Sequence, residues 1–242
     1  MTRRTLFPYS GSKARLIKHL PAPPEGTTTI IEPFAGSLAY SMHYRPQRLI
    51  CAEASPDVRR LLRYLSERFE PRLRYLESLP IERVTINVFA EKHGLSEAEQ
   101  TLVRLFTSGA YKGQLSSKIL YPQHKMKLDH DTIDYFASLG RESFLMADDF
   151  RRVYDLPSDD TTWTFIDPPY MGTKANYAKG CGNMDAAAVM RLTEGRRGIM
   201  TYHDPDAFPA LEWQVACVRK VPNMRKGGTT ERTEWFAVFG CK

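Results

Sequence analysis

The sequence predicts an α/β fold, a mostly parallel, doubly wound sheet carrying an inserted and mainly helical region. Three observations carry that reading. Short β-branched or apolar runs alternate with helical patterns, the arrangement that builds parallel sheets. A glycine-containing turn follows the first run and opens a helix. One strand-to-strand interval is about three times too long for a simple crossover: Glu53 and Asp149 stand 96 positions apart, whereas a βαβ unit takes about 30.

Taken in order, Thr27 to Glu32 (TTTIIE) is β-branched and ends in a carboxylate, and Pro33-Phe34-Ala35-Gly36-Ser37 then reads as a turn into a helix. Arg48 to Glu53 (RLICAE) is a second short strand, again ending in a carboxylate. Ser55 can accept from the first free N–H groups of the next helix, and Pro56 suits its first position. Val58, Leu61, Leu62, Leu65 and Phe69 recur there at helical spacing, with Arg59, Arg60, Arg63 and Arg68 off the apolar stripe. Further strands are expected at Ser143 to Ala147, Thr162 to Asp167 and Gly198 to Tyr202. Trp213 to Val221 and Thr233 to Phe239 alternate as a hairpin across a loop containing Arg225, Lys226, Gly227 and Gly228.

The long interval is read as an insertion at residues 64–140, between catalytic segments 1–63 and 141–242. Ser96-Glu97-Ala98-Glu99 is a capping box ahead of Leu102, Val103, Leu105 and Phe106, so the insertion is at least partly helical. Towards its end Tyr111, Lys112, Gln114, Lys118, Tyr121, Lys125 and Lys127 interleave. Lysines meet phosphates, while aromatic rings and amides meet bases. Tyr111, Lys112, Gln114, Lys118 and Lys125 are therefore the candidate DNA contacts, with an ordinary solvated loop as the alternative.

Composition removes several classes. With 242 residues, 42% apolar and 26% charged, the chain can bury a full core without staples and is not disordered throughout. Cys51, Cys181, Cys217 and Cys241 lack the spacing of a zinc site or disulfide framework, so no metal is expected. No apolar stretch approaches a membrane span and no secretory apolar region opens the chain, so a cytoplasmic location is expected. A formal charge of +6 and pI near 9.1 suit a polyanionic partner or a mildly basic enzyme equally.

The chemistry concentrates at Asp167-Pro168-Pro169-Tyr170, which closes the fourth strand, where open α/β sheets bind ligands. The prolines stiffen the turn, so a carboxylate, a carbonyl and an aromatic face can be held towards one point. An exocyclic amine on a nucleobase is a poor nucleophile because its lone pair is spread into the ring. Hydrogen bonds from that amine to Asp167 and to the Pro168 carbonyl would let the nitrogen pyramidalise, and Tyr170 would stack on the base. Such a base must first leave the duplex.

The ordered set PYSGSK (8–13), EPFAGS (32–37), AEAS (52–55), ADDF (147–150), DPPY (167–170) and TYHD (201–204) resembles the Dam-like DNA adenine-N6 methyltransferases over nearly the whole chain. The resemblance implies a Rossmann-like class I methyltransferase sheet, S-adenosylmethionine as methyl donor, a flipped adenine in double-stranded DNA as acceptor, and a target-recognition insertion ahead of DPPY. By position it implies that Tyr9, Lys13, Phe34, Gly36, Glu53, Asp149 and Phe150 bind the cofactor. Lys13 would meet the methionine carboxylate, Glu53 the ribose hydroxyls, and Asp149 with Phe150 the adenine, Asp148 being the alternative to Asp149. The chain departs from the pattern at Leu38, where the family has a second glycine, at Ser12, and across YKGQLSSK (111–118).

Cytosine-N4 or RNA adenine methylation keeps the same cofactor and is the alternative enzyme reading. An inactive DNA-binding homologue is the alternative outside catalysis, and the intact Asp167, Pro168 and Tyr170 argue against it. A nicotinamide dehydrogenase is disfavoured because no G-x-G-x-x-G follows the first strand. A compact catalytic chain of this kind is expected to be a monomer.

Overall fold

A computed structural model describes residues 5–67, 70–108, 115, 118–169, 185–222 and 229–240. Strand β1 (Thr29–Glu32) runs into a turn and helix α1 (Ala39–Tyr44), and β2 (Arg48–Ala52) into helix α2 (Pro56–Ser66). Helices α3 (Glu70–Ser78), α4 (Ile86–His93), α5 (Glu97–Thr107) and α6 (His130–Ser138) and the single turn α7 (Gly140–Ser143) precede β3 (Phe144–Ala147). Strand β4 (Thr162–Ile166), helix α8 (Ala186–Met190) and strands β5 (Gly198–Tyr202), β6 (Trp213–Pro222) and β7 (Thr229–Phe239) complete the order.

Among the described residues seven strands form one sheet in the order β3-β2-β1-β4-β5-β7-β6. The first five are mutually parallel, while β7 runs antiparallel to both β5 and β6. The expected α/β fold is therefore present, with the 3-2-1-4-5 order of doubly wound sheets closed by an antiparallel hairpin. Gly198 permits the β4–β5 approach, since a Cβ there would lie 2.1 Å from the Thr164 carbonyl oxygen.

Apart from the start of β7, strand ends differ from the sequence reading by one or two residues, with consequences for the site. Glu53 and Asp167 lie just beyond β2 and β4, so their side chains belong to loops at the carboxyl edge. β1 begins at Thr29, and β3 at Phe144 because Ser143 closes α7. β7 starts at Thr229, four residues ahead of the alternating run, because its outer part pairs with β6 alone while β5 reaches only Trp235 to Phe239. A two-stranded ribbon has no core face to enforce alternation. The Arg225–Gly228 loop and Phe69 lie outside the described residues.

Apolar clusters line both faces. On one, Ile30, Trp163, Phe165, Ile199 and Phe236 pack with Leu16, Ile17 and Tyr40, and Ile30 sits in register with Leu49, which joins the largest cluster. That cluster combines Leu61, Leu62 and Leu65 of α2 with Leu73, Phe89, Leu102, Val103, Phe106 and Phe136 from the inserted helices. The insertion thus shares its core with the sheet, and α2 runs across the 63/64 boundary. On the other face Ile31, Ile50, Ile166, Met200 and Tyr202 meet Val153, Val189, Leu192 and Phe208.

The expected caps form. Ser55 Oγ accepts from the Val58 N–H at 3.4 Å. The Ser96 hydroxyl and Glu99 carboxylate exchange hydrogen bonds with each other's backbone N–H groups. Glu99 also accepts from Arg72 at 2.6 Å and from the Tyr64 hydroxyl at 3.0 Å, tying α5 to α3 and α2. Among the described residues no helix is long and apolar enough to cross a membrane.

Candidate active site

The amino-terminal segment docks on the turn after β1 and so delivers Tyr9 and Lys13 to the carboxyl edge of the sheet. Ser37 Oγ donates to Ser12 Oγ at 3.0 Å. Gly36 adopts φ +48°, and a Cβ on it would stand 3.1 Å from the Tyr9 ring. The tyrosine therefore lies flush against a position that only glycine fills without strain. Glu53 ties the same turn to the end of β2: its Oε2 accepts from the Gly36 N–H at 3.0 Å and its Oε1 from the Ser55 N–H at 2.8 Å. Arg59 secures that bend by donating to the carbonyls of Glu53 at 2.6 Å and Ala54 at 2.8 Å. Burial pushes the Glu53 carboxyl up, the two N–H groups and Arg59 pulling against it.

Around these elements opens a cleft. Tyr9, Lys13, Phe34, Gly36, Glu53, Asp149, Phe150, Asp167, Pro168 and Pro169 all line it. Seven cofactor candidates and three of the four catalytic candidates, dispersed over 160 positions of chain, are thus brought to one concavity. Tyr170 lies outside the described residues, as do Tyr111, Lys112 and Gln114. Lys118 and Lys125 are exposed on the inserted region and take no part in the cleft.

The cleft has two distinct ends. At one, Phe34 and Phe150 meet with ring centroids 5.0 Å apart, and the Arg151 guanidinium lies 4.7 Å from the Phe150 ring centroid. Asp149 holds this corner by accepting from the Arg151 N–H at 2.8 Å and its guanidinium at 2.9 Å. Behind it the buried Arg196 donates to the carbonyls of Val153, Tyr154 and Leu156, bracing the turn that carries Phe150. At the other end Asp167 pairs with Lys13 at 2.6 Å and accepts from the Thr201 hydroxyl at 3.0 Å. The Lys13 ammonium is thus on Asp167, whereas sequence reasoning directed it to a methionine carboxylate. Burial pushes the Asp167 carboxyl up; Lys13 and Thr201 pull it down, and Glu234 pushes it up again.

Glu32 was not among the sequence candidates. It lines the cleft, is buried, and accepts from the Ser41 N–H at 2.8 Å. Burial pushes its carboxyl up to about 7, against the Ser41 hydrogen bonding. A signal for it existed, since it is the carboxylate ending the first β-branched run. The Tyr40 ring, stacked 4.2 Å from Phe165, also lines the cleft and carries no such signal. Among the described residues no three His, Cys, Asp or Glu side chains are grouped as metal ligands.

No protein-family model matches the chain, and no curated protein matches it. Solved structures do. A precorrin-6Y C5,15-methyltransferase from Geobacter metallireducens aligns at 12% identity and TM-score 0.39 over 100% of this chain and 94% of its own. The C-terminal domain of the Rhodobacter capsulatus precorrin-6Y C5,15-methyltransferase aligns at 12% and TM-score 0.40, over 99% of each chain. A putative precorrin-6Y C5,15-methyltransferase domain from Corynebacterium diphtheriae aligns at 13% and TM-score 0.36, over 94% and 95%. Likenesses this distant leave the reaction and acceptor of this chain to be argued from its own residues.

Proposed function

We propose that this protein transfers a methyl group from S-adenosylmethionine to an exocyclic amine of a base in DNA, adenine N6 by its resemblance to the Dam-like enzymes. The observation that carries the reading is the convergence in one cleft of Asp167, Pro168 and Pro169 with Phe34, Gly36, Glu53 and Phe150. The cradle fits the donor. Phe34 and Phe150 offer aromatic faces to an adenine. Each Glu53 oxygen, having accepted one N–H, keeps a lone pair for a ribose hydroxyl. Gly36, without a Cβ, lets the chain approach closely. When bound, the donor supplies an electrophilic methyl group on a sulfonium sulfur.

The chain's own residues do the rest. Asp167, fixed by Lys13 and Thr201, orients the incoming amine and accepts its hydrogen bond, so the nitrogen lone pair is directed at the methyl carbon. Pro168 and Pro169 hold that carboxylate at the strand end, and Tyr170 stacks on the base. The inserted region, with Lys118 and Lys125 facing solvent, holds the duplex. Labelled methyl transfer to unmodified duplex DNA, with the modified nucleoside identified by mass spectrometry, tests the reading. N6-methyladenine is the expected product, and Asp167→Ala should lower the rate by about a hundredfold to a thousandfold. Label at cytosine N4 would replace the acceptor and retain the mechanism. A wild-type rate in Asp167→Ala, or label only at cytosine carbon 5, would overturn it.

A further inference from the structure

Asp167 stands in a row of buried polar side chains along one face of the sheet at its carboxyl edge. Strand alternation puts Glu32 on the face of Ile30, Asp167 on that of Trp163 and Phe165, Thr201 on that of Ile199, and Glu234 on that of Phe236. All five apolar residues belong to one cluster, so the face is common to the four strands. The strand order β1-β4-β5-β7 then flanks Asp167 with a carboxylate on each side, each one alternation step out of line: Glu32 level with Phe165, since Ile31 pairs with Thr164, and Glu234 two residues beyond Phe236, the partner of Thr201. Glu32 is 2% exposed and Glu234 1%. Lys13, bonded to the middle carboxylate and 7% exposed, comes from the segment packed over that face.

The charges oppose one another. An ammonium at hydrogen-bond distance makes a carboxylate a weaker base, while burial and like charges make it a stronger one. Burial and Glu234 prevail at Asp167, whose carboxyl lies above the ordinary range, and Asp167 in turn adds to the upward push on Glu32. Further titratable groups face this row. Tyr40 on α1 and Cys51 on β2 are both pushed up, chiefly by burial with Glu32 contributing. Cys217 on β6 is the register partner of Glu234.

We propose that Glu234 acts as a positioning residue that keeps Asp167 basic enough to take the proton released by the acceptor amine on methylation. The proposal rests on the amine-methylation reading. As the N–C bond forms from the nitrogen lone pair, the C–S bond breaks and its electron pair stays on sulfur. The nitrogen is left cationic and one N–H proton passes to an Asp167 oxygen, then to water as product leaves. Orientation and proton uptake thus fall to one carboxylate, and a general base works best when its proton affinity matches the working pH.

Carboxyl ¹³C NMR of protein labelled at aspartate, with the Asp167 signal assigned by its loss in Asp167→Asn, tests the coupling without any substrate. The Asp167 titration midpoint should fall by about half a unit to one unit in Glu234→Gln. Glu234→Asp, which restores the charge, should return it towards wild type. Single-turnover methyl transfer to DNA followed against pH should show its acid limb displaced downward by the same amount in Glu234→Gln. An unmoved midpoint overturns the coupling. A moved midpoint with an unmoved rate profile, or an equal rate loss at every pH, overturns the role as base. A wild type that methylates no DNA base removes the amine-methylation reading, a failure the NMR titration separates from absent coupling.

Discussion

Glu32 closes a strand almost wholly buried, and that placement has a thermodynamic signature. Its carboxyl is raised from 4.5 to about 7 in the folded chain, so between those values the native state binds a proton that the unfolded state does not. Stability from this group is full below pH 4.5 and is lost as pH rises through about 7. Glu32→Gln removes the titration. Urea unfolding should therefore show wild type losing stability relative to Glu32→Gln between pH 5 and 7.5, by on the order of 1–3 kcal/mol; parallel curves would remove the assignment. Asp167 and Glu53 were legible in the sequence because each ends an apolar run ahead of a turn, where α/β sheets bind ligands. Glu234 was not: it sits within a polar stretch, and only the pairing of β7 with β5, which ends at the adjacent Trp235, brings it to the face of Asp167.

At the scale of the element, the turn between β1 and α1 shows why the missing second glycine does not abolish the fold. Leu38 occupies that position at φ 54°, ψ 33°, in the left-handed region glycine would favour. Its N–H donates to Ala35 at 2.8 Å, its carbonyl accepts from Met42 at 2.9 Å, and its side chain is wholly buried in the largest apolar cluster. A left-handed non-glycine residue costs about 1–2 kcal/mol, whereas a buried leucine is worth about 2–5 kcal/mol over alanine, so packing prevails over backbone preference. A test follows from the sign. Leu38→Ala loses the packing and keeps the strain, while Leu38→Gly loses the packing and relieves it. The glycine variant should be more stable than the alanine variant by about 1 kcal/mol, the reverse of their order at an ordinary helical position. Urea midpoints in the usual order would mean the turn has relaxed to another conformation.

Across the whole molecule, the mostly parallel sheet and the helices between β2 and β3 followed from spacing and alternation, whereas the strand order and the depth at which those helices are attached did not. Helical periodicity reports which side of a helix is apolar without saying what covers it, and here Leu61, Leu65, Leu102 and Phe136 cover one another in a single core. That union fixes where the lysines point. The segment after α5 is pinned by the Lys118 carbonyl, which accepts from the Ile86 N–H at 2.8 Å, and by the Leu120 N–H, which donates to Val84 at 2.9 Å. Leu120, Met126 and Leu128 are buried, and Lys118, Lys125 and Lys127 are exposed between them. An exposed set of ammonium groups on a chain of formal charge +6 suits phosphate contacts, which displace condensed counterions. The double substitution Lys118→Ala, Lys125→Ala should weaken duplex binding and lower the slope of log affinity against log salt by about 2, near 0.9 for each lost contact. S-adenosylmethionine affinity should be unchanged, because neither lysine lines the cleft. Fluorescence anisotropy across a salt series measures the first quantity and calorimetry the second. An unaltered slope would move the DNA surface away from this segment, and a matching loss of cofactor affinity would show that the substitutions act through the shared core.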